Sequence, residues 1–287
     1  MAPEVVEGVK RLIDRRIDGL RELSISWFGG EPLLARDILE EISTHVLHAQ
    51  STRPAVSYRG DITTNGSLLT DTVVDKLVEL GIRFIQVSLD GPEALHDSTR
   101  RRTTGRGSFR QIWKNLLSIR QGKLDLEVLL RIHLTPLNIH VMDDFLRELR
   151  DTFLSDSRFR VFLKPVERMG GPNNDTIDVI PHEDHRRVVA SLKAALHLEG
   201  RDTGLFQGEN ICYAARANSL MIRADGRIGK CTVAMSDPAN TIGQLLSNGL
   251  LRIDNSVLRP WLRGWQTGDR AVLACPYVAI AAGSAVR

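Results

Sequence analysis

Apolar residues recur along this chain at two spacings that take turns. Val5, Val6, Val9, Leu12 and Ile13 repeat every three or four residues, and with Pro3 at its start the pattern predicts a helix from Pro3 to Ile17. Leu23 to Phe28 is a strand-like run ending in Gly29-Gly30, and a helix follows over Leu34 to Leu47. Val56 to Thr63 alternates and breaks at Asn65-Gly66. Thr70 is placed to cap a helix over Asp71 to Leu80, with Gly81 as its stop. Phe84 to Leu89 is a buried-type strand running into Asp90-Gly91, and Ser108 is placed to cap a helix through Arg120. A strand over Leu126 to Leu134, a helix over Ile139 to Phe153 and a strand over Arg158 to Leu163 complete the series.

Five strands, each with a helix before or after it, predict a parallel sheet with helices outside. The sheet is either an open doubly wound one or a full or partial barrel, and its leading element is a helix rather than a strand. Beyond about residue 165 the rhythm changes. Met169 to Thr176 is a Gly/Pro/Asn loop, a polar helix runs from about Glu183 to Leu198, and Ser219 to Cys231 reads as a hairpin turning at Asp225-Gly226. These shifts place a boundary near residue 205, dividing the chain into 1–204 and 205–287. Trp261 and Trp265, four apart, predict one helix face packed on a core.

Composition narrows the classes. With 42% hydrophobic and 25% charged residues in 287, the chain is ordinary for a globular protein, which excludes disorder, collagen and coiled coil. Lys plus Arg (38) exceed Asp plus Glu (35) by only three, so no nucleic-acid partner is expected, and Arg100-Arg101-Arg102 reads as a solvated loop. No run approaches the roughly 20 apolar residues of a membrane helix, and the N-terminus shows no secretory signal. Three cysteines, Cys212, Cys231 and Cys275, do not make a disulfide framework, and a reducing cytoplasm is the expected location.

Ligands in parallel βα folds gather at the C-terminal ends of the strands. Those ends read Gly29-Gly30-Glu31-Pro32, Thr63-Thr64-Asn65-Gly66, Ser88-Leu89-Asp90-Gly91, Arg131 to Thr135 and Lys164-Pro165. Turn formation suffices to explain any one of them. Four of the five carry polar groups or glycine directly after an apolar run, and together they mark a site.

Three segments, WFGGEPLL (Trp27 to Leu34), ITTNGSLLT (Ile62 to Thr70) and VSLDGPEALHDSTR (Val87 to Arg100), resemble the radical S-adenosylmethionine (SAM) superfamily. More narrowly they resemble its branch with a C-terminal SPASM domain, whose members modify peptides and proteins. The similarity runs from Met1 to about Gly283. It implies an α/β fold, a partial (β/α)6 TIM-like barrel lacking its first strand, followed by a small SPASM-like region. It also implies that the backbone at Gly29, Gly30 and Glu31 holds the SAM amino group, and that Ser88 and Arg100 meet its carboxylate. A guanidinium suits that carboxylate because it donates two parallel hydrogen bonds. Arg131 would run past the adenosine, while Asn65 and Asp90 are further cofactor-site candidates that turn geometry also explains. The implied partners are a peptide or protein substrate and an electron donor such as flavodoxin or ferredoxin.

The superfamily's radical chemistry depends on a CxxxCxxC loop that ligates a [4Fe–4S] cluster, from which SAM is reductively cleaved to a 5′-deoxyadenosyl radical. No cysteine precedes Cys212. The resemblance puts MAPEVVEGVKRLI just downstream of that loop, so the chain is expected to begin after its first strand and its radical-cluster ligands. In the C-terminal region Cys212, thirteen residues, Gly226, four residues and Cys231 fit the auxiliary-cluster spacing, but Val272, Ala281 and Ala285 stand where further cysteines belong around Cys275. The family's assignment gives one auxiliary cluster Cys212 and Cys231 and leaves the other only Cys275. Neither closes with four ligands. The chain is therefore expected to be a radical SAM relative that does not cleave SAM by itself, the alternative being a non-catalytic module or fragment that binds SAM or a peptide.

Other polar clusters have plainer readings. His182-Glu183-Asp184-His185 lacks the HExxH spacing of zinc proteases and sits at a helix start, where acidic residues favour the dipole. Gly105-Arg106-Gly107 leads into the helix after Ser108. His133 either lines the pocket or is a satisfied structural histidine, and His140 begins a helix.

Overall fold

The runs of alternating character become strands of one parallel sheet, and the runs of helical spacing cover one of its faces. The computed structural model describes residues 1–102, 104–168, 176–196 and 211–284. In chain order the elements are α1 (Pro3–Arg16), β1 (Glu22–Trp27), α2 (Arg36–Ser51), β2 (Ser57–Thr64), α3 (Asp71–Glu79), β3 (Ile82–Leu89), α4 (Glu93–Thr99) and α5 (Phe109–Gln121). Then come β4 (Glu127–Leu134), α6 (Met142–Phe153), β5 (Phe159–Pro165) and α7 (His185–Ala195). Two hairpin strands, β6 (Met221–Ile222) and β7 (Arg227–Gly229), precede β8 (Gly243–Leu245), β9 (Leu251–Ile253), α8 (Asn255–Thr267), α9 (Arg270–Ala274) and α10 (Pro276–Ser284). No described helix is long and apolar enough to cross a membrane.

The described residues fall into two units, 21–168 with 177–196, and 1–20 with 211–284. In the first, the strands stand in the order β1-β2-β3-β4-β5, all parallel. A doubly wound sheet reverses its strand order at a switch point. These strands never reverse, which is the arrangement of a barrel wall, and it decides between the two architectures left open above. Ile62, Ile85, Val87, Leu130, Ile132 and Val161 point to the helix-covered face and are buried with Leu77, Ile112, Phe145 and Leu149 of the helices. Alternate positions, on the opposite face, carry polar pairs: Ser26 donates to Asp61 (2.7 Å), Gln86 to Thr63 (3.3 Å), and Ser88 stands opposite Arg131. One face of the sheet is therefore a hydrophobic core and the other a polar surface.

The second unit is an antiparallel sheet, β6-β7-β8-β9, with α1 and α8 to α10. Its core gathers Ile228, Ile242, Leu245 and Trp261, with Val5, Val9 and Leu12 of α1 packed against it. Gly8 is required here, because a Cβ at that position would stand 2.6 Å from the Leu246 carbonyl oxygen. The contact pattern thus groups the first 20 residues with the C-terminal elements, whereas the sequence division put them within 1–204. The apolar stripe of α1 is the cause. The boundary near residue 205, most of the Met169 to Thr176 loop and Ala285 lie outside the described residues.

Local expectations need three corrections. Thr70 and Ser108 hold N-cap positions, but neither side chain caps its helix. The start of α5 is capped from a distance instead, by Asp97 Oδ1 accepting from the amides of Ser108 (2.8 Å) and Phe109 (2.9 Å). Trp261 is wholly buried but Trp265 is 54% exposed, so the two do not share one packed face. Trp265 lines an open cavity of about 620 Å³ and donates to the Ala215 carbonyl (2.7 Å).

Candidate functional site

Asp90 is the hub of the strand-end edge. It follows β3 directly, and its side chain is 16% exposed. Oδ2 accepts from Arg100 Nε (2.7 Å) and Thr99 Oγ1 (2.8 Å), and Oδ1 pairs with His133 Nδ1 (2.9 Å). Burial alone would raise the Asp90 pKa, but the hydrogen bond from His133 and the charge of Arg100 outweigh it and hold the carboxyl well below the usual range. An ionised carboxylate only accepts. His133 Nδ1 must then carry the proton it donates, and burial keeps the ring neutral by lowering its pKa against the pull of Asp90. The 3.2 Å approach of Arg100 Nη2 to Nδ1 is therefore a contact, not a hydrogen bond. Both Nη groups of Arg100 are left to donate to a ligand while Nε is anchored.

Two neighbours fix this hub. Asn138 Nδ2 donates to the backbone oxygens of Asp90 (2.7 Å) and His133 (2.8 Å), tying the ends of β3 and β4 together. His96 is fully buried on α4. Its Nδ1 accepts from the Asp90 amide (3.4 Å), and its Nε2 meets Ser108 Oγ (3.0 Å), which donates to the Arg100 carbonyl (2.8 Å). Burial lowers the His96 pKa, so the ring is neutral with its proton on Nε2.

Glu31 has a comparable role at the ends of β1 and β2. Oε1 accepts from Thr64 Oγ1 (2.7 Å) and the Leu33 amide (3.1 Å), and Oε2 accepts from the Asn65 amide (2.8 Å). Its carboxylate is spent on joining those two strand ends, which leaves the backbone for any ligand. Asn65 Oδ1 accepts from the Ser67 amide (2.9 Å), a turn role as expected. Gly29 and Gly30 take positive φ values of 94° and 50°, with no heavy atom within 4 Å of where a Cβ would stand. They form an open bend that a ligand can approach closely.

Ser88 is 8% exposed, and its register partner Arg131 reaches the same edge. Arg131 Nε is buried without a hydrogen-bond partner. Burial lowers its pKa and the charge of Arg100 adds to that, so two guanidiniums lie within electrostatic reach of each other. An orphaned buried donor beside a second arginine is an arrangement that an anionic group satisfies.

The cysteines belong to the other unit. Cys231 is buried, and Cys212 and Cys275 are half-buried. Burial raises the Cys212 pKa, and the charges of Cys275 and Cys231 add to it, so the fold gathers three thiols that lie up to 63 residues apart. Asn240 sets the Cys231 loop: Oδ1 accepts from the amides of Lys230 (2.8 Å) and Cys231 (2.9 Å), and Nδ2 donates to the carbonyls of Cys231 (2.7 Å) and Ala234 (3.0 Å). Lys230 is buried and donates to the carbonyls of Arg216 and Ser219 (2.5 Å each); burial lowers its pKa to about 8.

The strand-end reading located Gly29, Gly30, Glu31, Asn65, Ser88, Asp90 and Arg131 on one edge of the sheet, and Arg100 joins them through Asp90. It named Thr64 only as part of a strand end and missed His96, Thr99, Asn138 and Asn240. Thr64 and Thr99 stand within the quoted motifs and offered a signal. Asn138 and Asn240 are loop residues with no pattern around them.

Comparisons with known proteins agree with this architecture. A serine-type anaerobic sulfatase-maturating enzyme of Klebsiella aerogenes is 30% identical over 125 residues, 44% of this chain and 30% of that enzyme. The radical SAM cyclopropyl synthase TigE of Paramaledivibacter caminithermalis is 29% identical over 124 residues, 42% of this chain and 25% of that protein. The matched stretch thus spans less than a third of these relatives. Native anSMEcpe with bound AdoMet has a similar fold, with a TM-score of 0.66 at 16% identity over 90% of this chain and 71% of that one. SuiB of Streptococcus suis bound to S-adenosylmethionine gives 0.55 at 14% identity, over 91% and 58%. The radical SAM superfamily profile matches residues 3–149, just over half of the sequence, and the chain belongs to that superfamily.

Proposed function

We propose that this chain holds SAM for a radical enzyme that modifies a side chain of a peptide or protein. The observation that carries the reading is Arg100, anchored through Nε by an ionised, half-buried Asp90 with both Nη groups left to donate. In this reading Arg100 and Ser88 receive the SAM carboxylate, and the open Gly29-Gly30 bend with the Glu31 backbone receives the amino group. Arg131 stands beside the adenosine, where its orphaned Nε finds an acceptor. Neutral His133 and the Asn138 amide keep the edge in register, so little reorganisation is left for the moment of binding. The peptide substrate is supported by relatives of the same fold, anSMEcpe with bound Cp18Cys peptide and SuiB with its precursor peptide SuiA.

When bound, SAM together with a reducing [4Fe–4S] cluster supplies hydrogen-atom abstraction. The residues here fit SAM but do not fit the clusters. No thiol lies in the parallel-sheet unit to ligate a radical cluster, and the three cysteines of the other unit fall short of the four protein ligands of a fully ligated auxiliary [4Fe–4S] cluster. This polypeptide alone is accordingly a SAM-holding module.

Titration calorimetry with SAM tests this. The chain should bind SAM, and Arg100→Lys should weaken binding by about tenfold, because a lysine keeps the charge but not the anchored fork. Anaerobically reconstituted chain should yield no 5′-deoxyadenosine. Absent SAM affinity would sink the site, and 5′-deoxyadenosine formation would sink the module reading.

A further inference from the structure

We propose that Glu167, His182 and His185 form a binding site for a divalent transition metal of the zinc and cobalt class. Glu167 lies two residues beyond the end of β5, His182 in a single 3-10 turn, and His185 at the first position of α7. The two histidines are three apart, and their ring centroids lie 5.1 Å from each other. The fold brings Glu167 to them from fifteen residues upstream. One ligand atom from each of the three lies within 4.8 Å of the other two, the one such convergence of three or more His, Cys, Asp or Glu side chains among the described residues.

The chemistry of the set favours a transition metal over calcium or magnesium, since two imidazoles with one carboxylate are borderline donors rather than an all-oxygen cage. His185 is also oriented as a metal-bound histidine commonly is. Its Nε2 donates to the Ile180 carbonyl (2.9 Å), which fixes the tautomer and leaves the Nδ1 lone pair for a metal. Ligand atoms around a tetrahedral zinc at ~2.05 Å bond lengths stand roughly 3.3 Å apart. Closing the present arrangement therefore takes side-chain shifts of about 1.5 Å, and His182 is exposed, its ring contact being with His185 itself. Three protein ligands leave at least one position for water or an incoming donor.

The alternative reading of this segment, acidic residues at a helix N-terminus, accounts for Glu183 and Asp184 but not for Glu167. Asp184 is in any case paired with Arg187 (2.8 Å). Two cations oppose a metal here: Lys164, whose ammonium bonds Glu167 Oε2, and Arg131, which lies within electrostatic reach of Glu167. A carboxylate has a second oxygen to give, and the neighbouring cations weaken the site without blocking it.

That competition supplies the test. The metal-free 287-residue chain is titrated with Co²⁺, followed by absorption, and then with Zn²⁺ to displace it. One equivalent should bind with the visible bands of nitrogen and oxygen ligation and no thiolate charge-transfer band. His182→Ala and Glu167→Gln should each weaken it by roughly tenfold or more, while Lys164→Gln should strengthen it by about threefold. Cys231→Ser should change nothing. Unaltered affinity in both His182→Ala and Glu167→Gln overturns the proposal, as does a thiolate band that Cys231→Ser removes. Unchanged urea midpoints in the variants keep loss of folding from mimicking loss of a ligand.

Discussion

The two units immobilise their reactive groups by opposite means. At the strand-end edge of the parallel sheet the carboxylates hold one another's neighbours: Asp90 fixes Arg100, Thr99 and His133, and Glu31 fixes Thr64, Asn65 and Leu33. In the antiparallel unit the reactive groups are thiols, and the groups that fix their loops are the amide of Asn240 and the indole of Trp261, which donates to the Ala239 carbonyl (3.0 Å). The first site is thus organised by charge already in place before any ligand arrives. The second is organised by neutral hydrogen bonds and packing, in which Cys231 takes part as a buried core residue whose Sγ accepts from the Val233 amide (3.4 Å).

The sharpest break between the two should come from Trp261. It is fully buried and stacks near Tyr277, so Trp261→Ala should cost about 3–5 kcal/mol in the unfolding of the antiparallel unit. Cys231→Ser should cost less than about 1.5 kcal/mol, since Asn240 makes four of the loop's hydrogen bonds and the sulfur accepts one, from the Val233 amide (3.4 Å), which a hydroxyl also accepts. Urea unfolding followed by circular dichroism separates the two. Equal losses would show that the thiols hold the unit together after all.

Next in size is Asp90→Asn. Removing the one carboxylate between Arg100 and His133 leaves a half-buried guanidinium unpaired, a change that costs about 3 kcal/mol where the pair is buried. It should also weaken SAM binding by more than Arg100→Lys does, because the guanidinium loses its anchor. Denaturation and calorimetry on the same variant check both. A loss of stability with SAM affinity intact would show that Asp90 serves the fold and not the site.

The same contrast explains what the sequence disclosed. The β1 to β5 series was legible because strands of a parallel sheet covered on one face repeat apolar residues without help from distant partners, and four of the five run into glycine or polar residues. The site was legible in its positions but not in its wiring. Asp90 looked like a turn residue, and that reading was sufficient for the backbone. Its role depends on Arg100 folding back over α4 and on His133 from the next strand, neither of which leaves a spacing to recognise. The caps at Thr70 and Ser108 misled for the same reason, since Asp97 reaches α5 across a loop. Asn240 is invisible to pattern because its four hydrogen bonds all lie in irregular backbone. Trp261 and Trp265 share a spacing, yet one is swallowed by the core and the other lines an open cavity, and spacing carries no information on how far a face extends.

The smallest expected effect concerns acid. His96 is buried and His133 half-buried, and both are neutral, with pKa values lowered below 6.5 in the fold. Unfolded histidines take up protons as the pH falls through about 6.5, before the folded ones do, so the unfolded state then binds more protons and is favoured. The stability contributed by these rings is present above pH 6.5 and drains away below it. The Asp90 contribution has a separate window. Its pKa is depressed in the fold, so its share persists until the pH drops below about 3.8 and is lost beyond that. The parallel-sheet unit should therefore weaken in two steps, the first of which His96→Asn reduces to the His133 share, because asparagine offers a donor and an acceptor but does not titrate. Unfolding midpoints measured from pH 7.5 to pH 3 on the chain and on His96→Asn would resolve them. If the chain loses no stability between pH 6.5 and pH 5, the histidines are not neutral in the fold, His133 need not be the donor to Asp90, and the freedom of the Arg100 Nη groups loses its basis.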